Sequence, residues 1–206
     1  MSNIPQVLQK ELEILEPNAT FTASLPKIES SKGKRYFAKI GSISERDQYV
    51  GEAESLKEIN NAAPGIAPRV FVYGDTDGKP YFLSEYLDYG YLTNKASGTL
   101  AKRLATELHQ YKSTKGFGFQ APTYCGATRQ DNGWYETWEV CYSAMMGALL
   151  AKLSQRGTFR ELVDKGNEVR RRCAKNMQWS RRRLTNVQSN SVPSRVHPCR
   201  SSSLAW

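Results

Sequence analysis

No aspartate or glutamate follows Glu168, no glycine precedes Gly33, and the whole chain holds two histidines, His109 and His197. Cysteines are few as well. Cys125, Cys141, Cys173 and Cys199 are widely separated, which fits neither a C-x-x-C metal pair nor a dense secreted disulfide framework, so reduced thiols and no metal-ligating residues are expected. Nowhere does an apolar run approach the roughly 20 residues of a membrane-spanning helix. The opening stretch MSNIPQVLQKELEILEP contains acids that a signal peptide lacks. These absences point away from membrane and secreted classes and toward a cytoplasmic protein with no membrane partner.

What is present is a globular composition, 39% hydrophobic and 11% aromatic over 206 residues, ample for a packed core. The formal charge of +9 is unevenly placed: nine of the 29 Lys and Arg residues lie after Glu168, and the remaining 20 balance the 20 acids. The basicity therefore belongs to a tail. From residue 174 to residue 206 the chain is rich in Ser and Arg, has no acid and keeps no period, so it buries too little apolar surface to offset its ordering entropy and is expected to be disordered. An Arg-rich arm for RNA is the functional alternative. No aromatic or glycine repeat organises this charge, so nucleic acid is not the expected partner.

The preceding residues alternate apolar runs with turn chemistry. Ile4, Val7, Leu8, Leu12 and Leu15 have the spacing of an amphipathic helix. TFTASLP and RYFAKIG are expected strands joined across KIESSKGK, with Gly33 at the turn. Ser44, three residues before Asp47, has capping-box spacing for a helix with Val50, Leu56 and Ile59 near one face, ended by Pro64 and Gly65. PRVFVYG and KPYFLSEYL then flank the hairpin turn DTDG, and helices are expected at about 97–113, 133–155 and 158–173.

Lys39 raises the sharpest question, because it sits in a short run that otherwise reads as a buried strand. An unpaired buried ammonium costs several kcal/mol, so it needs water or a fixed anion. Glu52 and Glu54 on the next helix are the candidates. A strand lysine, a helix carboxylate and a connecting segment after a further hairpin is the order of parts in a protein-kinase-like N-lobe, where the lysine holds nucleotide phosphates. The alternative is a strand-edge lysine and a solvated helix face.

YFAKIG, GEAESLKEI, APRVFVYG, YFLSEYLD and LATELHQ, with GFGFQAPTYCGATRQDNGWYETWEVCY, together resemble the fructosamine kinase (ketosamine-3-kinase, protein-ribulosamine 3-kinase) family over about residues 3–172. The most specific part is the set Phe117, Gly118, Phe119, Gly126, Gln130, Asn132, Trp134 and Trp138. The resemblance implies an α+β fold: a protein-kinase-like, aminoglycoside-phosphotransferase-like N-lobe with an antiparallel sheet over residues 1–88, a partial helical C-lobe over 89–173, and the tail. It implies ATP with Mg²⁺ as cofactors and glycated protein lysines as substrate, phosphorylated on the ketosamine sugar so that the glycation is removed. Lys39 then resembles the phosphate-binding lysine and Glu52 its partner, with Ser84 at the gatekeeper place and the backbone of Glu85 and Leu87 facing adenine. Trp134 and Trp138, four apart on an expected helix, form either a sugar wall or core packing. Gln130 and Asn132 either bond substrate hydroxyls or satisfy loop backbone.

This chain departs from the family pattern in two respects. The turn expected to cover the phosphates has no glycine-rich form. The family's H-G-D-x-x-x-x-N loop and its later metal-binding aspartate do not occur: His109 precedes QYKS and His197 precedes PCRS. No catalytic residue is therefore assigned. The pattern resembles a C-terminally truncated member with little or no activity of its own, with a non-catalytic pseudokinase fragment or a basic-tail RNA-associated protein as alternatives. An uncovered apolar face and self-association are also expected.

Overall fold

The computed structural model describes residues 4–173; the segment read as a disordered tail lies outside the described residues. The chain divides into two compact units, one ending at Leu149 and one starting at Leu150. In the first, helix α1 (Gln6–Leu15) is followed by strands β1 (Phe21–Ser24), β2 (Lys27–Ser30) and β3 (Arg35–Ile40). Helix α2 (Arg46–Ala62), strands β4 (Val70–Thr76) and β5 (Lys79–Glu85) and helix α3 (Asn94–Thr106) come next. Four short strands then follow, β6 (Phe117–Gly118), β7 (Thr123–Cys125), β8 (Thr128–Gln130) and β9 (Trp134–Tyr135), before helix α4 (Trp138–Gln155). Residues 160–173 of the second unit are helical.

Strands β1 to β5 form one antiparallel sheet in the order β1-β2-β3-β5-β4. The period of two sorts their side chains between two faces. Tyr36 and Ala38 of β3 and Tyr81 and Leu83 of β5 meet Leu8 and Leu12 of α1. Phe82 packs instead with Tyr49 and Ala53 of α2, joined by Phe37 and Leu56. One sheet face thus carries α1 and the other α2, and Lys39, in phase with Phe37, belongs to the α2 face.

Several sequence expectations need correction. KIES is a strand, not part of a connection: Ile28 is fully buried and β2 pairs with both β1 and β3. The turn before β3 does use Gly33, at φ +84°. The capping box is formed by Ser42 and Glu45, whose carboxylate accepts from the Ser42 amide and hydroxyl at 2.9 Å each, whereas Ser44 contacts Ser42. On α2 the buried residues are Tyr49, Gly51 and Ala53, with Val50, Leu56 and Ile59 half-buried, because small residues let the helix approach its neighbours closely. Helix α3 is shifted to Asn94–Thr106, capped by the Thr93 hydroxyl, which accepts from the Ala96 amide at 3.2 Å. The helix expected from residue 133 starts at Trp138, since Trp134 and Tyr135 pair with Gly118 and Phe117 as a strand. The β4–β5 hairpin forms as expected, with Asp77 and Gly78 both at positive φ.

Candidate functional site

Strand β3 brings Lys39 opposite Phe82 and Phe37 opposite Ser84, so these four residues share the α2 face of the sheet. Helix α2 crosses that face and carries Glu52. Lys39 Nζ donates to both Glu52 carboxylate oxygens, at 2.7 and 2.9 Å. The ammonium also lies 5.3 Å from the Phe37 ring and 5.9 Å from the Phe82 ring, within cation–π range. With 35% of the lysine side chain and 33% of the glutamate exposed, the pair sits at a rim: the lysine is held by its anion and one side stays open to a further ligand.

A cavity of about 310 Å³ adjoins this pair. Phe37, Phe82 and the nearly fully buried Ser84 line it from the sheet, Glu52 and Leu56 from α2, and Glu85 to Leu87 from the segment leaving β5. That segment is held in place. The Glu85 amide donates to the Arg69 carbonyl at 2.8 Å, and Lys27 and Arg35 each approach the Tyr86 ring at 5.7 Å. The Glu85 carbonyl accepts the Ser84 hydroxyl at 3.3 Å. An apolar slot of this size, lined by two phenylalanine rings and by Glu52, the partner of Lys39, suits a flat heteroaromatic group. Pro26, at the turn between β1 and β2, also lines the cavity, and that turn has no glycine.

Beside Glu52, Glu54 lies in a separate network. It accepts from Tyr73 at 2.7 Å, Gln120 at 2.7 Å and Lys57 at 3.1 Å. The Tyr73 bond, followed by those from Gln120 and Lys57, holds this carboxyl below the ordinary carboxylate range against the opposing effect of burial. Glu54 is thus fixed as an acceptor for its neighbours, and Glu52 is the carboxylate that takes Lys39.

The residues singled out from GFGFQAPTYCGATRQDNGW separate. Asn132 donates to the Ala121 carbonyl at 2.8 Å and to the Thr123 hydroxyl at 3.0 Å, so its amide secures the loop. Gln130, in β8, donates to the Asp131 carbonyl at 3.4 Å. Trp134 and Trp138 do not share a helix face: Trp134 is in β9, with Lys115 Nζ 5.4 Å from its ring, while Trp138 opens α4, half exposed, between Phe117 and Tyr142. Spacing misled here because the β6–β9 pairing joins residues 117–118 to 134–135 across a long loop. Gly118 is required at that pairing, at φ +144°, where a side chain would collide with the Gly133 carbonyl. Sequence reasoning missed Gly51, Gln120 and Arg129, whose contacts with the rest of the site become visible only in three dimensions. Among the described residues no His, Cys, Asp and Glu cluster suited to a metal ion occurs.

A family model described as fructosamine kinase matches residues 4–197, past residue 172 where the resemblance read from the sequence stops. The chain belongs to the fructosamine kinase family. It is 29% identical over 132 residues to a probable ketoamine kinase of Vibrio parahaemolyticus, a match covering 64% of this chain and 45% of that protein. It is 28% identical over 137 residues to a chloroplastic protein-ribulosamine 3-kinase of Oryza sativa subsp. japonica, covering 65% of this chain and 40% of that one. The chain thus spans less than half the length of these curated relatives. A crystal structure of a Haemophilus somnus protein assigned as a fructosamine-3-kinase superposes with a TM-score of 0.64 at 19% identity, over 84% of this chain and 60% of that one. The fold is therefore the α+β, kinase-like fold of that protein, with its antiparallel sheet.

Proposed function

We propose that this chain carries the nucleotide-binding part of a ketosamine kinase, with residues 1–88 as its nucleotide lobe. The observation that carries this reading is the two-oxygen grip of Glu52 on Lys39 at the rim of the Phe37–Phe82–Ser84 cavity. In it, adenine lies between Phe37, Phe82 and Leu56 along the backbone of Glu85 and Leu87, and Lys39 meets the phosphates. Phosphoryl transfer depends on positioning and charge neutralisation, so a pre-oriented ammonium is the contribution these residues make. ATP with Mg²⁺ is the expected ligand. Among the described residues no acidic cluster suits the metal alone, so it would arrive on the nucleotide.

The reaction of the family, phosphorylation of ketosamine sugars on glycated protein lysines, is the activity in which we place this site. Gln130, Asn132, Trp134 and Trp138 are weaker candidates for the sugar, and the loop bonds of Asn132 favour a supporting role. These 206 residues contain no H-G-D-x-x-x-x-N string, and we propose that the chain by itself turns over little or no substrate. ATP consumption with a ribulosamine or fructosamine substrate at the rate of full-length family members would refute this. The half-exposed Trp138 and Val140 of α4 support self-association, which monomeric scattering at high concentration would contradict.

Calorimetric titration of the purified chain with ATP and Mg²⁺ tests the site, with Lys39→Ala as control. Saturable binding lost in the variant is the expected result. Binding absent from both proteins, or unaffected by the substitution, would overturn the reading.

A further inference from the structure

The stretch from Phe117 to Tyr135 is the most specific string in the sequence, yet its polar groups are largely spent on the protein itself, and much of what they hold is α2. The α-carbon of Gly51, one residue before Glu52, is pressed against the Pro122 carbonyl, where any Cβ would overlap the oxygen. Asn132 fixes that carbonyl's neighbourhood by bonding both Ala121 and Thr123. One turn earlier on the helix, Asp47 pairs with Arg129, which also pairs with Asp131 at 2.6 Å. Beyond Glu52, Gln120 donates to Glu54 at 2.7 Å. Contacts at 47, 51 and 54 straddle Glu52 and restrain the helix in rotation and along its axis.

We propose that residues 117–135 form a clamp on α2, and that Gly51, Gln120 and Arg129 are positioning residues that keep Glu52 on Lys39. None of the three touches Lys39. They act through the helix, since a small rotation of α2 carries the Glu52 carboxylate off the ammonium. This deepens the proposed nucleotide site and rests on it for its functional meaning, but the clamp itself concerns only the Lys39–Glu52 pair.

The test therefore reads the pair and the nucleotide separately. Lys39 acetylation by an N-hydroxysuccinimide ester is followed by mass spectrometry, with the exposed Lys10 as internal reference and Glu52→Gln giving the rate of an unpaired Lys39; ATP affinity is measured on the same proteins. Gly51→Ala favours the helix intrinsically, so a loss in either readout traces to the collision of the new Cβ with the Pro122 carbonyl. The clamp predicts Lys39 acetylation near the Glu52→Gln rate and ATP binding weakened at least about fivefold, the size of a typical coupling between sites. Arg129→Ala and Gln120→Ala shift both in the same direction, and Arg129→Lys restores them in part. If Gly51→Ala fails to fold, the Arg129 and Gln120 variants decide by the same criterion. Wild-type Lys39 rates in all folded variants overturn the clamp. Changed Lys39 rates in a protein that binds no ATP uphold the clamp and refute the nucleotide site.

Discussion

Replacing Glu52 by Gln removes one charge and leaves a side chain of the same shape. In the folded protein the pair is about one-third exposed on both sides, so its contribution to stability is that of a rim ion pair, about 0.2–1 kcal/mol after solvent screening. For a chain of this size that lowers Tm by no more than about 4 °C. The effect on nucleotide binding is larger, because Glu52 holds Lys39 in one rotamer before the ligand arrives. A lysine freed of that restraint loses about 1.5–2 kcal/mol of side-chain entropy when phosphate immobilises it. Converted at about 1.4 kcal/mol per tenfold, that weakens ATP binding by roughly 10- to 30-fold. Calorimetry and thermal unfolding on the same preparation measure both quantities. The reasoning fails if the Kd stays within twofold of wild type, or if Tm falls by much more than the rim-pair value, which would make the pair a structural one.

Ser84→Trp fills the cavity from the sheet and is expected to abolish ATP binding while the helical circular dichroism is kept; unchanged binding would put the nucleotide elsewhere. Leu12→Ala, at a fully buried position on the α1 face, should cost about 2–5 kcal/mol in denaturant unfolding and leave Lys39 acetylation unchanged. Burial first, and then donation to Glu16 and Glu11 respectively, pushes Tyr36 and Tyr81 up to about 12. Because the folded value exceeds the unfolded one, their stabilisation is complete below the ordinary tyrosine value of about 10 and is lost as pH rises toward 12, so absorbance titration should show Tyr36 and Tyr81 among the late-ionising tyrosines, coincident with alkaline unfolding. Glu54 has the opposite sign. Its depressed carboxyl stabilises above the ordinary glutamate range and loses that effect as pH falls through the folded value, so Glu54→Gln should flatten the acid limb of the stability profile.

Much of this site was legible because its signals are local. The DTDG turn carries the residue types that positive φ requires, and the spacing of Leu8 and Leu12 places both in the core. Lys39 and Glu52 could be matched because a lone lysine in an apolar strand needs an anion and the next helix offers one. Strand β2 escaped because KIES has a single apolar residue, too short a pattern for alternation to show. Trp134 and Trp138 have helical spacing by coincidence; the pairing of β9 with β6 decides their fate, and that contact lies far along the chain. Two serines precede acids by three residues near residue 44, and only the packing of the turn selects Ser42 with Glu45. The clamp was hidden for a related reason: a glycine in a helix reads as a defect until the Pro122 carbonyl is seen against it.

The central claim, that nucleotide occupies the slot between the sheet and α2, is tested most directly by amide chemical-shift mapping of the isotope-labelled chain during titration with ATP and Mg²⁺. The account predicts saturable shifts at Ser84, Glu85 and Leu87, together with Lys39 and Glu52. Shifts confined to residues away from that slot, or none at saturating ATP, would contradict it.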